Sequence, residues 1–293
     1  MRRYDFDGSI ASIVVLKPDS LDDAAAFDVC SSNTHYLKRL GEFVKYRDII
    51  ENALNGHGAD YCEIRIEETD NSRLTYRGKS LDTIAQTSGL GGNVRAVTKG
   101  GWGFTSFNSL DELSKKVADA VAQSKAVGGS KTELGEVEPH VDVVPAYIVE
   151  DPTEISLDEK KRQMDHYNDL VWSVDGINSA DIIYGDTSRK TFFGSSDGSY
   201  IEQQQIHVIS RISAQARSGG DVQQAGFSLG SQGDYGLIRG LDNKVIDAAK
   251  RAVALLDAKS LEGGERTVVL DPVLAGVFVH EAFGHLSEGD NVY

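Results

Sequence analysis

The segment ADYCEIRIEE, residues 59–68, places Cys62, Ile64 and Ile66 on one side of an extended chain and Glu63, Arg65 and Glu67 on the other. A period of two marks a strand with one buried and one solvated face. Residues 74–77 read as its hairpin partner, and 82–87 and 92–98 as further strands. Upstream, Val44, Ile49, Ile50 and Leu54 suit one face of a helix that should stop at Gly56-His57-Gly58.

Downstream, Gly100-Gly101-Trp102-Gly103-Phe104 reads as a tight turn, since it lacks the Gly-Lys-Ser/Thr ending of a phosphate loop. Ser109-Leu110-Asp111-Glu112 and Ser156-Leu157-Asp158-Glu159 have the form of capping boxes, in which hydroxyl and carboxylate satisfy orphan amides at a helix start. The first should open a helix to about residue 127 that buries Leu113, Val117, Ala120 and Val121. The second should point Met164, Tyr167, Leu170 and Val171 at a core. The polar stretch 128–149, with Pro139 and Pro145, reads as a crossing segment.

Strands at 180–187, 190–194, 199–216 and 220–226, joined by turns such as Ser196-Asp197-Gly198, suggest an antiparallel meander, and a helix at 241–256 follows. This order predicts an α+β fold of antiparallel sheets with packed helices. The expected organisation is a poorly structured extension over 1–42 with a short helix near 21–27, a first unit over 43–150 and a second over 151–262. A strand and helix over 263–293 then open a further domain.

With 45 acidic against 30 basic residues, the net charge of −15 repels nucleic-acid backbones and anionic membranes. The short apolar run 10–16 is interrupted on both sides by charge and is too short to span a bilayer, and no signal-peptide pattern follows it. Two cysteines, Cys30 and Cys62, are too few for a disulfide framework and lack metal-site spacing. A soluble, cytoplasmic protein is expected, with Cys62 as a buried structural thiol.

The chemistry concentrates in HEAFGHLSEGDNVY, residues 280–293. Asp271-Pro272 makes a favourable helix start, and the helix then runs Val273 to Val279 almost wholly apolar, so burial is expected. Two histidines and a carboxylate at the end of such a helix need partners, and a zinc ion would supply them. His280 and His285 are then candidate zinc ligands, and Glu281 a candidate general base for water activated by the ion.

Residues four apart on an ideal helix differ by about 40° around the axis, but five apart by about 140°. A common ion therefore requires a wide π-type turn or a local break, for which Gly284 supplies conformational freedom. Glu288 and Asp290 read as a solvated turn that could lend a carboxylate. His35, His57, His140, His166 and His207 are scattered without ligand spacing.

His280-Glu281-Ala282-Phe283-Gly284-His285, the following Glu288-Gly289-Asp290 and the preceding Val268-Val269-Leu270-Asp271-Pro272 resemble the TldD/PmbA family of metallopeptidases. ADYCEIRIEE and GGNVRAVTKGGWGFTSFNS resemble that family's N-terminal domain, and the likeness runs from about residue 43 onward. The resemblance implies a zinc-dependent peptidase acting on unfolded or flexible polypeptides, with His280 and His285 on Zn2+ and Glu281 as base. It also implies a homodimer, or a heterodimer with a related TldE/PmbA-type subunit, while the net charge argues against a direct nucleic-acid or membrane partner. The family's third ligand is a cysteine in a long C-terminal domain, so a chain stopping at Tyr293 is expected to be a fragment, inactive alone. The alternative is a non-catalytic interaction module whose motif histidines merely pack. A link to gyrase regulation attached to the family is expected to be indirect.

Overall fold

The computed structural model describes residues 2–4, 13–15, 45–129, 134–260 and 262–289. The expected helix near 21–27 and the residues Cys30, His35 and Asp290 lie outside the described residues. Two compact units are present, Met1–Ser31 with Lys259–Tyr293, and Ser32–Ala258. Among the described residues, no helix is long and apolar enough to cross a membrane.

In the first unit, β1 (Arg2–Tyr4) and β2 (Ile13–Val15) pair antiparallel, and Val269–Leu270 joins β2 in parallel. Parts of the stretch expected as a loose extension are thus strand. Val269–Leu270 leads directly into the motif helix, Pro272–Val279.

The second unit runs α1 (Arg47–Leu54), β3 (Tyr61–Arg77), β4 (Ser80–Thr98), β5 (Gly101–Phe107), α2 (Leu113–Val127), β6 (Val141–Val144), α3 (Leu157–Trp172), β7 (Ile177–Ser195), β8 (Tyr200–Ser218), β9 (Asp221–Gln232) and α4 (Asp242–Ala254). Its 7-stranded sheet has the order β5-β4-β3-β7-β8, with β6 and β9 each on β8. Every pairing is antiparallel except that of β6 with β8. The α+β expectation holds, and both expected units contribute to one sheet because β7 lies beside β3.

The strands are longer than the sequence suggested. Residues 62–67 and 74–77 are not hairpin partners but belong to one 17-residue strand, β3, whose partner is β4. The polar run Glu67 to Arg73 looks like a turn, yet its backbone is paired on both sides, so polar side chains cost little where they reach solvent. Residues 180–187 and 190–194 merge into β7 for the same reason.

Register gives the sheet two distinct faces. Ile64 stands opposite Val94 and Gly194, and Ile182 opposite Tyr76 and Ile212, so these inward positions line one side. Under α1 and α2 they form a core with Ile50, Cys62, Ile66 and Val117; under α3 and α4, one with Leu74, Met164, Tyr167 and Val245. Each large aliphatic side chain so buried contributes roughly 1.5–3 kcal/mol. Ile49, expected on the buried side of α1, is exposed, and Tyr46 and Ala53 take the inward positions.

The glycine-rich stretch is a strand, not a turn. The turn is Lys99-Gly100, both at positive φ (49° and 77°), as a two-residue hairpin requires. Gly101 and Gly103 lie in β5 against α2: a Cβ on Gly103 would fall 1.8 Å from the Ala120 carbonyl oxygen. These glycines are required by the close approach of helix and strand.

Of the two capping boxes, the first does not form. The Ser109 hydroxyl donates to Asp111 Oδ2 at 2.7 Å, and α2 begins later, at Leu113. The second forms by half: Ser156 Oγ accepts from the Glu159 amide at 3.2 Å, while the Glu159 carboxylate pairs with Arg239 Nη2 at 2.8 Å instead of reaching back. Lys160, on the same helix turn, is buried against the sheet with its Nζ 2.7 Å from Asp186 Oδ2 and donating to Ser72 Oγ at 3.2 Å.

Candidate metal centre

Asp271 starts the motif helix as read from the sequence: its Oδ1 accepts from the Leu274 amide at 2.7 Å, with Pro272 at the first helical position. The helix is not buried, however. Val273, Leu274, Phe278 and Phe283 are all more than half exposed. An all-round apolar pattern states that a helix is best covered; it cannot state by what.

At His280 the hydrogen-bond ladder widens. Residues His280–Gly284 are π-helical, and the His285 amide donates to the His280 carbonyl oxygen five residues back. The extra residue is absorbed there, and His285–Ser287 continues as a 3-10 turn. Gly284 itself sits at φ −56° and ψ −52°, ordinary right-handed helix, so its conformational freedom is not what makes the wide turn. A Cβ at this position would make only ordinary contact, 3.5 Å from His280 Nδ1.

The widened turn brings the three expected residues together. The imidazoles of His280 and His285 lie edge to face with centroids 4.5 Å apart. One ligand atom from each of His280, Glu281 and His285 falls within a common 4.8 Å, and all three side chains are exposed. Two nitrogens on one tetrahedral zinc stand about 3.4 Å apart, so a small rotation of exposed side chains closes the gap. Two neutral imidazoles are suitable zinc donors and the carboxylate beside them suits a base for metal-bound water, so the residues present fit the ion.

Glu288 does more than a solvated turn would. Its Oε1 lies 2.8 Å from His285 Nδ1, while His285 Nε2 faces Glu281 Oε2 at 3.8 Å. A carboxylate on one imidazole nitrogen orients the ring and raises the basicity of the other, the usual support of a metal-binding histidine. The spacing of three residues from His285 was the available signal for this pair, since it places both on one side of a helical turn.

The remaining candidates stay away from this cluster. Cys62 is fully buried in the core under α1 and α2, and burial pushes its thiol up to about 11, as suits an inert thiol. His57 Nδ1 accepts from the Ala59 amide, His140 lies near Asp142 and His166 contacts Asp242. Among the described residues, only His280, Glu281 and His285 form a group able to hold a metal ion.

Residues 62–124 match the model of the PmbA/TldA metallopeptidase domain 1, and residues 150–256 that of the PmbA/TldA metallopeptidase central domain. The chain belongs to the PmbA/TldD metallopeptidase family. Among PmbA/TldD relatives, it is 36% identical over 237 residues to the metalloprotease slr0863 of Synechocystis sp., an alignment covering 80% of this chain and 51% of that protein. It is 23% identical over 242 residues to a zinc metalloprotease TldD homolog of Saccharolobus solfataricus, covering 80% and 51%. A crystal structure from Bacteroides thetaiotaomicron, described as a modulator of DNA gyrase, has the same fold: TM-score 0.68, 17% identity, covering 82% of this chain and 56% of that one. The chain therefore spans about half the length of the PmbA/TldD relatives it matches.

Proposed function

We propose that this chain carries the metal-binding motif of a zinc-dependent peptidase acting on flexible polypeptides, with His280 and His285 as ligands and Glu281 as general base. The observation that carries the reading is the π turn, which gathers both imidazoles and the Glu281 carboxylate although the histidines stand five positions apart. A bound zinc ion would supply Lewis acidity toward a peptide carbonyl and acidify a water molecule.

The chain's own residues then have separate tasks. His280 and His285 hold the ion through neutral imidazoles, and Glu288 fixes the ring of His285 through Nδ1. The Glu281 carboxylate takes the proton of the attacking water and returns it to the leaving amine. The side chains are exposed, so an incoming polypeptide has direct access to them. Assembly as a homodimer, or with a TldE/PmbA-type subunit, belongs to the same proposal.

Zinc titration against a chromophoric chelator tests the ligands, and cleavage of an unfolded protein substrate by the full-length protein tests the base. His280→Ala and His285→Ala should each weaken zinc uptake at least tenfold, whereas Glu281→Gln should keep zinc and lose cleavage at least a hundredfold. Equal zinc uptake by the wild type and the double histidine variant would overturn the assignment, as would undiminished cleavage by Glu281→Gln.

A further inference from the structure

The face of the large sheet opposite the helices carries a charge unlike that of the chain as a whole. On the helix side of the strands stand Glu68, Asp70, Asp186, Glu202 and the only strand lysine of β3 to β8, Lys190. On the uncovered side stand Arg65 and Arg73 of β3, Arg95 of β4, Arg189 of β7, and Arg211 and Arg217 of β8, all exposed. The other charges on that side are Arg77, 3.8 Å from Asp82, and the acids Glu63, Glu67, Asp142 and Asp181. A chain of net charge −15 thus keeps a positive, lysine-free face.

Some of this charge is engaged. Arg95 Nε donates to Glu63 Oε1 at 2.7 Å, and Arg189 lies 3.7 Å from Glu67. Arg65, Arg73 and Arg211 make no ion pair among the described residues, although Arg65 lies over the Phe193 ring at 5.4 Å. Between them the face presents Thr69, Asn71, Thr187, Gln203 and Gln205, side chains that hydrogen-bond main-chain amides and carbonyls. Arg65 and Arg73 are eight positions apart on one strand, a distance of about 27 Å at 3.4 Å per residue, which suits an extended occupant rather than a small anion.

We infer that this helix-free sheet face docks an extended acidic polypeptide, with Arg65, Arg73 and Arg211 pairing to its carboxylates. The guanidinium fork matches a carboxylate bidentately, which explains arginine in place of lysine here. Pairing this face with the same face of a second copy would oppose like charges, so the occupant is a different, acidic segment. The inference is independent of the metal motif, and its test involves neither metal nor cleavage, so the two readings fail separately.

The probe is a fluorescein-labelled 20-residue peptide with Glu at every third position and Gly or Ser between, followed by anisotropy with the full 293-residue chain at low ionic strength. Binding is expected, weakening with added salt, and the triple variant Arg65→Gln, Arg73→Gln, Arg211→Gln should bind at least tenfold more weakly. Lys115→Gln, Arg162→Gln and Arg251→Gln together remove equal charge from the helices and should change binding less than twofold. The same peptide with Lys in place of Glu should not bind. Failure of the Glu peptide to bind, equal loss in the two triple variants, or tighter binding of a 20-nucleotide single strand by the same arginines would overturn the inference.

Discussion

His280 and His285, separated by five positions, face each other with ring centroids 4.5 Å apart because the turn between them is π-helical. An ideal α-helix would place them about 140° apart around its axis. The wide turn is what brings the two rings together, and its cause can be tested.

Gly284 occupies ordinary helical space, with room for a Cβ. Gly284→Ala should leave zinc affinity within about threefold of wild type in the chelator titration. A loss comparable to that of His285→Ala would restore the glycine to a conformational role.

Gly103 is the opposite case. Its Cβ would fall 1.8 Å from the Ala120 carbonyl oxygen, and neither backbone can move without separating α2 from β5. Gly103→Ala should destabilise the fold by about 2–4 kcal/mol, at or above the usual range for overpacking, read as a lower midpoint in urea denaturation. An unchanged midpoint would show that the helix is not held this closely.

Lys160 and Asp186 form an ion pair with side chains only 1% and 4% exposed, and the Tyr184 hydroxyl also donates to Asp186 at 2.7 Å. Removing one partner strands a buried charge, so Lys160→Met should cost roughly 3–5 kcal/mol. Lys160→Met combined with Asp186→Leu should recover most of that loss. A double variant no better than the single one would mean that packing, not charge, dominates the site.

Glu202 is buried, with Oε1 accepting from the Tyr200 hydroxyl and Oε2 lacking a partner among the described residues. Burial raises its pKa above the ordinary 4.5, outweighing the opposing hydrogen bond from Tyr200 and the charge of Lys190. Because the folded state binds this proton more tightly, ionisation works against folding above the raised pKa, and the penalty disappears as pH falls to 4.5 and below. Glu202→Gln should therefore raise the thermal midpoint at neutral pH, with the gain shrinking to nothing near pH 4. A gain independent of pH would assign the effect to packing.

Alternation in residues 59–68 and the amphipathic helices were legible because side-chain periodicity is a local property. The same holds for the motif: the five-residue separation of His280 and His285 called for a wide turn or a break if the two share an ion, of which the structure takes the first, and Asp271-Pro272 alone marked its helix start. What local pattern could not fix was pairing. Glu67 to Arg73 became mid-strand because β4 and β7 satisfy its backbone from either side, and Gly101 and Gly103 became strand because β4 pairs with them, with α2 too close for any side chain. Tertiary structure likewise placed the Glu159 carboxylate on Arg239 and the Lys160 ammonium on Asp186. These choices depend on long-range neighbours, whose identity no run of adjacent residues encodes. The sequence determined which atoms want partners, and only the fold decided which partners they meet.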